Sequence, residues 1–258
     1  AYATSGLFPD NGVYLCALDA RSGEILWRRK SPSLSPQGYL LASPTRLFAP
    51  TGRTSPALFK LTDGTPLGTI GGLGGTYAVL SGDTLNYAYG RESNGLIATS
   101  DVGTTERVAS FDGVHLIVDG EMSYLQSRTQ LQALDRTRYM ELVTAERSLT
   151  DYRSRLKGEL TAATEKGDEA AKSQAQKRMA ETDEALTRTT AQKNACYRWT
   201  TPCRLPFALV KAGDALIAGG DGRVASYDCR TGAVLWQSSV EGRAAGLAVA
   251  DGQLYVST

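Results

Sequence analysis

The sequence predicts an all-β protein built from repeated four-stranded sheets, with one pair of long helices inserted into the repeat. The first observation is that residues 17–27 return as residues 226–236, with an Asp, a Gly and a Trp at the same spacing. The second is a regular succession of short apolar segments separated by turn residues. A period of four strands, with a Trp near the end of the fourth, is typical of a β-propeller, whose blades surround a channel.

The bulk composition excludes several classes of function. The chain has 258 residues, a net charge of +1 and 41% hydrophobic residues. The near-zero charge gives no field that would attract nucleic acid or an anionic membrane. Apolar runs are shorter than the roughly 20 residues that cross a bilayer, so we expect no membrane insertion. Strand-like segments run to both ends, which predicts a partial ring of about four to five blades, with missing blades of the same chain needed to close it.

Short strands separated by Gly, Pro, Asp and Ser account for residues 1–135. The turn at residues 62–64 takes the place of residues 21–23, although Gly68 stands where the Trp is expected. The predicted strands are 1–4, 13–19, 24–27, 38–43, 46–49, 57–61, 66–70, 77–80, 86–89, 95–100, 106–111, 115–118, 121–125 and 130–134. The pattern of short strands and turns resumes after the predicted helices, with strands at 197–199, 207–210, 215–218, 223–228, 233–236, 247–250 and 254–257.

Residues 136–196 have a different character. Leu142, Leu149, Leu156 and Ala163 recur every seven residues, and a second apolar stripe follows a break at residues 166–168. This periodicity predicts an antiparallel helical hairpin, a short coiled coil, with arms roughly 40 Å long at 1.5 Å per residue. Its mixed charge argues against nucleic acid. The hairpin is either a partner-binding arm or a solvated spur.

The position of the hairpin follows from the repeat. Asp135 matches Asp19 and Asp228, but the Trp expected eight positions later appears only as Trp199. We therefore place the hairpin in the turn between the third and fourth strands of one blade. Such an insertion costs little when its ends stay close together. The predicted organisation is propeller blades at 1–135, an inserted hairpin at 136–196 and further blades at 197–258.

The repeat resembles that of the quinoprotein-type, PQQ-repeat propellers, which runs A-x-D-x-x-T-G-x-x-x-W. In that family the repeat Trp docks one blade onto the next, and the Gly of the turn takes a positive φ. The resemblance therefore implies structural, blade-docking roles for seven residues. They are Asp19, Gly23, Trp27, Trp199, Asp228, Gly232 and Trp236.

The family has two branches, and the chain resembles the non-catalytic one that includes the lipoprotein of the outer-membrane β-barrel assembly machine. This implies a protein-interaction scaffold with protein partners, no cofactor and a place in the bacterial periplasm or cell envelope. The alternative is a PQQ-dependent alcohol or sugar dehydrogenase, which requires PQQ and Ca²⁺. Methanol-type members also have two adjacent cysteines, which this sequence lacks. A third interpretation is an accessory propeller of an enzyme whose active domain lies elsewhere.

One ligand site is suggested by charge. Arg53, Arg91 and Arg128 each follow the second strand of consecutive predicted blades, so they share one face near the channel mouth, opposite the hairpin. Converging guanidinium groups suit a carboxylate, a phosphate or an acidic peptide. The alternative is that they are solvated loop residues. The sequence suggests no catalytic residue or metal site. Cys196 and Cys203 flank an extended segment, which keeps them too far apart for a disulfide if that segment is a strand.

Overall fold

The computed structural model describes residues 1–5, 12–32, 34–37, 39–51, 54–70, 77–82, 84–88, 96–101 and 107–258. These residues form six antiparallel sheets, which follow one another along the chain, and one pair of helices. Within each sheet the strands pair in sequence order. Because every pairing joins consecutive strands, each sheet is a local meander that the neighbouring residues build by themselves.

The first sheet contains β1 (Tyr2–Ser5), β2 (Val13–Leu18) and β3 (Ile25–Ser31), and the second contains β4 (Leu41–Ala42), β5 (Arg46–Thr51), β6 (Thr54–Lys60) and β7 (Pro66–Thr69). The third contains β8 (Tyr77–Ser81), β9 (Thr84–Ala88), β10 (Leu96–Asp101) and β11 (Arg107–Asp112). The fourth contains β12 (His115–Asp119), β13 (Met122–Gln126), β14 (Gln130–Asp135) and β15 (Tyr197–Pro202). The fifth contains β16 (Ala208–Ala212), β17 (Ala215–Asp228) and β18 (Val234–Arg243), and the sixth contains β19 (Gly246–Ala250) and β20 (Gln253–Ser257).

The fifth sheet differs from the sequence prediction in one respect. The single long strand β17 replaces the two strands predicted at 215–218 and 223–228. Its first half pairs with β16 and its second half with β18, so it occupies the place of two strands. The predicted turn lies inside it, where Asp221, Gly222 and Arg223 are exposed and Gly222 has φ +65°. Strand pairing continues on both sides of this turn, with β16 before it and β18 after it. The Asp and Gly residues predict the turn but not this continuation.

Apolar packing lies between consecutive sheets. Four clusters of buried residues join the first sheet to the second, the second to the third, the third to the fourth, and the fourth to the fifth. Each contact therefore involves only neighbours along the chain, as in repeat proteins. Representative members, in the same order, are Leu15, Phe48, Leu125 and Leu216.

The two helices lie between β14 and β15. Helix α1 (Arg136–Lys166) begins at an Asp135 N-cap and ends at Gly167, which has φ +69°, and α2 (Glu169–Ala195) begins at an Asp168 N-cap. Both Asp side chains accept a hydrogen bond from the backbone N–H three residues later, which satisfies a donor that the helix leaves unpaired. No helix among the described residues combines the length and hydropathy that crossing a bilayer requires.

The seam of the hairpin is made of the predicted stripes. Leu142, Leu156 and Ala163 are buried on α1, and Leu142, near the root of the hairpin, belongs to the cluster between the third and fourth sheets. The buried members on α2 are small: Ala175, Thr182 and Thr189. Small side chains let the two helix axes approach closely, so the arm has a thin apolar seam and a polar outer surface.

Candidate functional site

The repeat has the same strand register at four places, one of which is in the second sheet, where Leu58 lies opposite Gly68 and Phe59 opposite Pro66. Ala17 lies opposite Trp27, and the register then shifts so that Leu18 lies opposite Ile25. The same irregularity follows the pairs Ala133–Trp199 and Ser226–Trp236. Trp199 therefore occupies the position of the repeat Trp, although the whole hairpin separates it from Asp135.

The turn before the last strand of a sheet, here called the repeat turn, is also constant. It comprises residues 19–23 in the first sheet, 60–64 in the second and 228–232 in the fifth. In each, the last residue donates its N–H to the carbonyl of the first, at 2.9–3.0 Å. Gly23, Gly64 and Gly232 close these turns with φ of +75°, +67° and +71°. An L side chain is strained at such φ values, which explains the Gly.

The Trp side chains of two sheets rest on the repeat turn of the sheet that follows. Trp27 Nε1 donates to the carbonyl of Leu61 at 2.9 Å, and Trp199 Nε1 donates to the carbonyl of Cys229 at 2.9 Å. A Cβ added to Gly64 would lie 2.6 Å from the Trp27 ring. The Gly therefore serves both the φ of the turn and the space that the indole fills.

Two members of the set lack this contact. Trp236 lies at the same position in the fifth sheet, but 41% of its surface is exposed. Gly23 closes the same turn in the first sheet, yet a Cβ there would meet no described atom within 4 Å. Among the described residues, the Trp236 indole and the repeat turn of the first sheet are therefore exposed. By contrast, Trp27 covers the repeat turn of the second sheet and Trp199 covers that of the fifth.

The repeat Asp residues are engaged in their own turns. Asp228 Oδ1 accepts hydrogen bonds from the N–H groups of Arg230 and Thr231, both at 2.9 Å, and from the Thr231 hydroxyl at 3.0 Å. Asp19 Oδ1 accepts the corresponding bonds from Arg21 and Ser22. These donors stabilise the carboxylate, so the pKa of both Asp side chains is lowered.

We expect Thr231→Ala to raise the pKa of Asp228 towards the usual value of 3.8, because the Thr231 hydroxyl is the main cause of its depression. Because the pKa of Asp228 is lower in the folded state, the carboxylate stabilises the fold fully above its unfolded-state pKa. This stabilisation is lost as the pH falls through the folded-state pKa. Carboxyl carbon NMR titration of both proteins measures the shift. Asp19, whose turn is unchanged, is the internal control, and an unaltered Asp228 pKa would contradict the assignment.

The predicted arginine set is only partly within the described residues. Arg53 and Arg91 lie outside them. Arg128 is exposed in the turn between β13 and β14. The hairpin leaves from the opposite end of β14, so Arg128 and the hairpin lie at opposite ends of the strands of the fourth sheet, about 20 Å apart along a six-residue strand.

The root of the hairpin is held by several polar contacts around Asp135. Its side chain caps α1 and also forms an ion pair with Arg198 at 2.6 Å. Its backbone N–H donates to the carbonyl of Cys196 at 2.9 Å, which joins the start of α1 to the end of α2. Arg136 donates its N–H to Glu121 O at 2.8 Å and a guanidinium N–H to Gly120 O at 3.1 Å. Both helix ends are therefore tied to the fourth sheet.

An aromatic cluster adds apolar contact at the same root. The rings of Phe111 and Tyr139 lie 5.2 Å apart, and those of Tyr139 and Tyr197 lie 6.2 Å apart, edge to face. Lys193 lies over the Tyr139 ring at 5.6 Å. Burial raises the pKa of Tyr197 to about 12. Sequence reasoning missed the contribution of Phe111, because a residue of the third sheet carries no sign of which helix it will meet.

Charged side chains pair across the two arms of the hairpin. The pairs are Glu146–Lys193 at 2.5 Å, Arg153–Asp183 at 2.5 Å and Glu159–Arg178 at 3.2 Å. Arg178 also donates to the Tyr152 hydroxyl at 2.8 Å and lies over its ring. The pairs are spaced along the arms and fix their relative register, although an exposed pair adds only about 0–1 kcal/mol.

The positions of the His, Cys, Asp and Glu side chains can be compared with what a metal site requires. Within them, His, Cys, Asp and Glu side chains do not come together in groups of three or more. Asp19 and Asp228 are used by their own turns. The four cysteines are free thiols, and Cys196 and Cys203 lie in different buried clusters, one on each side of the fourth sheet.

Comparison with known proteins supports the resemblance seen in the repeat. Residues 220–258 match the family model described as outer membrane protein assembly factor BamB. BamB from Moraxella catarrhalis has a similar structure, with a TM-score of 0.53 and 16% identity over 94% of this chain and 62% of that one. The computationally designed Ika8 protein gives a TM-score of 0.57 and 11% identity over 99% of this chain and 66% of that one. No curated protein sequence matches.

These similarities show the fold, and the resemblance to PQQ-like, BamB-type propellers is confirmed. The chain spans less than two thirds of the length of either structure. The matched segment contains the second half of β17, β18 and the sixth sheet, so it includes the second copy of the repeat on which the prediction rested.

Proposed function

We propose that this chain, as a BamB-like propeller, is a non-catalytic protein-interaction scaffold whose helical hairpin is a partner-binding arm. We take each of the first five sheets, three of which have four strands and two of which have three, as one blade, so the chain supplies about four to five blades of a larger ring. On the basis of this resemblance, we propose a location in the bacterial periplasm or cell envelope. The observation that carries the proposal is the root of the hairpin, where Asp135 ties both helices to the fourth blade.

The root contacts favour a positioned arm over a loose spur. A surface loop that served only to connect β14 to β15 could be a five-residue turn, as in the first and fifth blades. Here the chain instead forms two helices of 31 and 27 residues, roughly 40–46 Å long. Binding by a preorganised surface loses less conformational entropy than binding by a flexible one, and this is what the root contacts and cross-arm ion pairs supply.

The outer surface of the arm indicates the chemistry of the partner. Exposed positions on both helices are mostly charged or small polar residues, and none of the large exposed apolar side chains of the described residues lies on the arm. Twelve basic and ten acidic residues lie between 136 and 195. We infer a protein partner that pairs with mixed charges, so that association is fast and sensitive to salt.

The test replaces residues 136–196 with the sequence Ala-Arg-Ser-Gly-Glu, taken from residues 20–24. This restores the eight-residue spacing between Asp135 and Trp199 that the first repeat has. Intact and shortened proteins are then used as bait for cross-linking in bacterial envelope extracts. We expect the shortened protein to stay folded, by circular dichroism and thermal unfolding, and to lose the partners that the intact protein captures.

A second variant keeps the arm and changes only its surface charge, so it tests whether that surface contacts the partner. Reversing charges at exposed arm positions away from the cross-arm pairs, as in Lys157→Glu with Arg188→Glu, keeps the helices and changes only the surface. We expect weaker capture that depends on salt. Identical capture by the intact, shortened and charge-reversed proteins would contradict a partner-binding role. The dehydrogenase alternative stays a separate prediction, which reconstitution with PQQ and Ca²⁺ and a dye-reduction assay can test.

A further inference from the structure

A small cavity, here called the root cavity, lies between the third and fourth sheets beside the root of the hairpin. Its lining includes side chains from β9 and β10 of the third sheet, from β13 of the fourth, and from Arg136 and Met140 at the start of α1. The cavity has room for about one water-sized molecule. Cavities of this size with polar walls hold an occupant that hydrogen-bonds to those walls, whereas apolar cavities stay dry.

Two polar groups that line the root cavity have no hydrogen-bond partner in the protein. They are the Ser123 hydroxyl and Arg136 Nε, and both atoms are buried. Ser123 is 2% exposed and lies on the same face of β13 as Leu125, which packs between the third and fourth sheets. A buried polar group without a partner is costly, so two such groups around one cavity indicate a ligand.

The third sheet brings a polar pair to the opposite wall of the root cavity. Thr99 on β10 lies opposite Asn86 on β9, and the Thr99 hydroxyl donates to Asn86 Oδ1 at 2.7 Å. The side-chain carbonyl of Asn86 is therefore already used as an acceptor, and its amide nitrogen has a long 3.5 Å contact with the Val79 carbonyl. The described lining thus presents unpaired donors and lacks a free side-chain carbonyl or carboxylate to accept from them.

The charge at the root cavity is positive. Arg136 is the only charged side chain among the described residues that line it. The Arg136 guanidinium is fixed by its 3.1 Å hydrogen bond to the Gly120 carbonyl. The carboxylate of Asp135 does not neutralise it, because Asp135 caps α1 and pairs with Arg198. The N-terminal end of α1 adds the positive end of its dipole, so the cavity favours an anion over a neutral occupant.

We propose that the root cavity binds one small anion of the size of chloride. The anion accepts from the Ser123 hydroxyl and from Arg136 Nε, and hydrogen bonds to an ion are stronger than those between neutral groups. It thereby joins β13 to the start of α1 and strengthens the attachment of the arm. Sulfate and phosphate are too large for a space of one water-sized molecule. This site is independent of what the arm binds.

Thermal unfolding of the 258-residue chain measures the binding, in a chloride series in which gluconate keeps the ionic strength constant. An anion that binds only the folded state raises the stability as its concentration rises. We expect Tm to rise with chloride. Ser123→Ala should weaken chloride binding by about 10-fold or more, because it removes one hydrogen bond to a charged group. Arg136→Met, which keeps the aliphatic stem, should abolish it.

Ser226→Ala is the matched control. Ser226 is also a buried Ser whose hydroxyl has no partner, but it lies on β17 of the fifth sheet, away from the root cavity. We expect Ser226→Ala to keep the chloride dependence of the unaltered chain. In gluconate alone, Ser123→Ala should be at least as stable as the unaltered chain, because the hydroxyl that it removes has no partner there.

Crystals grown in bromide locate the ion directly, since bromide gives an anomalous signal and water does not. We expect a bromide peak within hydrogen-bond distance of Ser123 Oγ and Arg136 Nε. A water molecule at that place, with bromide absent from it, would overturn the proposal. So would a chloride dependence of Tm that is the same in the unaltered chain and in Ser123→Ala. The crystals and Ser123→Ala keep the test decisive even if Arg136→Met does not fold.

Discussion

Replacing Trp199 with Ala is expected to lower the free energy of unfolding by about 3 kcal/mol, the lower end of the usual cost of truncating a buried aromatic, because Trp199 is partly buried. The indole covers Gly232 and donates to the Cys229 carbonyl, so the substitution removes both apolar contact and a hydrogen bond between the fourth and fifth sheets. Tyr124, whose ring lies 6.3 Å from that of Trp199, loses a neighbour as well.

The matched control is Trp236→Ala at the same position of the next sheet. Because the Trp236 indole covers no repeat turn among the described residues, we expect its substitution in this 258-residue chain to cost less than about 1 kcal/mol. Urea unfolding followed by tyrosine fluorescence and circular dichroism compares the two. Equal losses at both positions would show that the indole's position in the repeat, and not its contact with the next turn, determines stability.

Gly232→Ala is expected to be the second large effect, costing about 2–5 kcal/mol. The new Cβ is strained at φ +71°, and it would lie 2.5 Å from the Trp199 ring. Strain in the left-handed region contributes about 1–2 kcal/mol, and overpacking about 1–3 kcal/mol. In a Trp199→Ala background the overpacking disappears, so Gly232→Ala should then cost only the strain.

The double-mutant cycle measures this difference directly as a coupling between the two residues. Gly120→Ala serves as the control for strain alone, since its added Cβ meets nothing within 4 Å. Additive costs of Trp199→Ala and Gly232→Ala would contradict the contact. Hydrogen exchange should report the losses mainly in the fourth and fifth sheets, because each sheet contacts only its neighbours.

Much of the fold could be predicted because the repeat is local. The Asp, Gly and Trp spacing specifies a tight turn with one positive φ and a register shift after the third strand, and a meander of consecutive strands needs no information from distant residues. The hairpin could be predicted for the same reason, since a seven-residue apolar period and a central break are features of the chain itself. The delayed Trp199 was found by counting from Asp135.

The sequence alone did not predict which side chains of different strands and helices contact each other. Phe111 meets Tyr139 because the third sheet lies beside the hairpin root, and nothing in either segment marks the other. Strand β17 includes its own turn because the residues before the turn pair with β16 and the residues after it pair with β18. The arginine set illustrates the same limit, since only Arg128 can be placed and its relation to the other two stays a prediction.

The amino-acid sequence is sufficient to predict the repeated sheet, its turn and the position at which the helices are inserted. These features depend on φ preferences and on apolar periodicity, which act over a few residues. Which indoles are covered among the described residues depends on contacts between sheets, and these are visible only in the three-dimensional structure. Trp27 and Trp199 are covered, whereas Trp236 is exposed, although their local sequences are nearly the same. The physical reason is that burial is a property of two surfaces, and a repeat unit encodes only one of them.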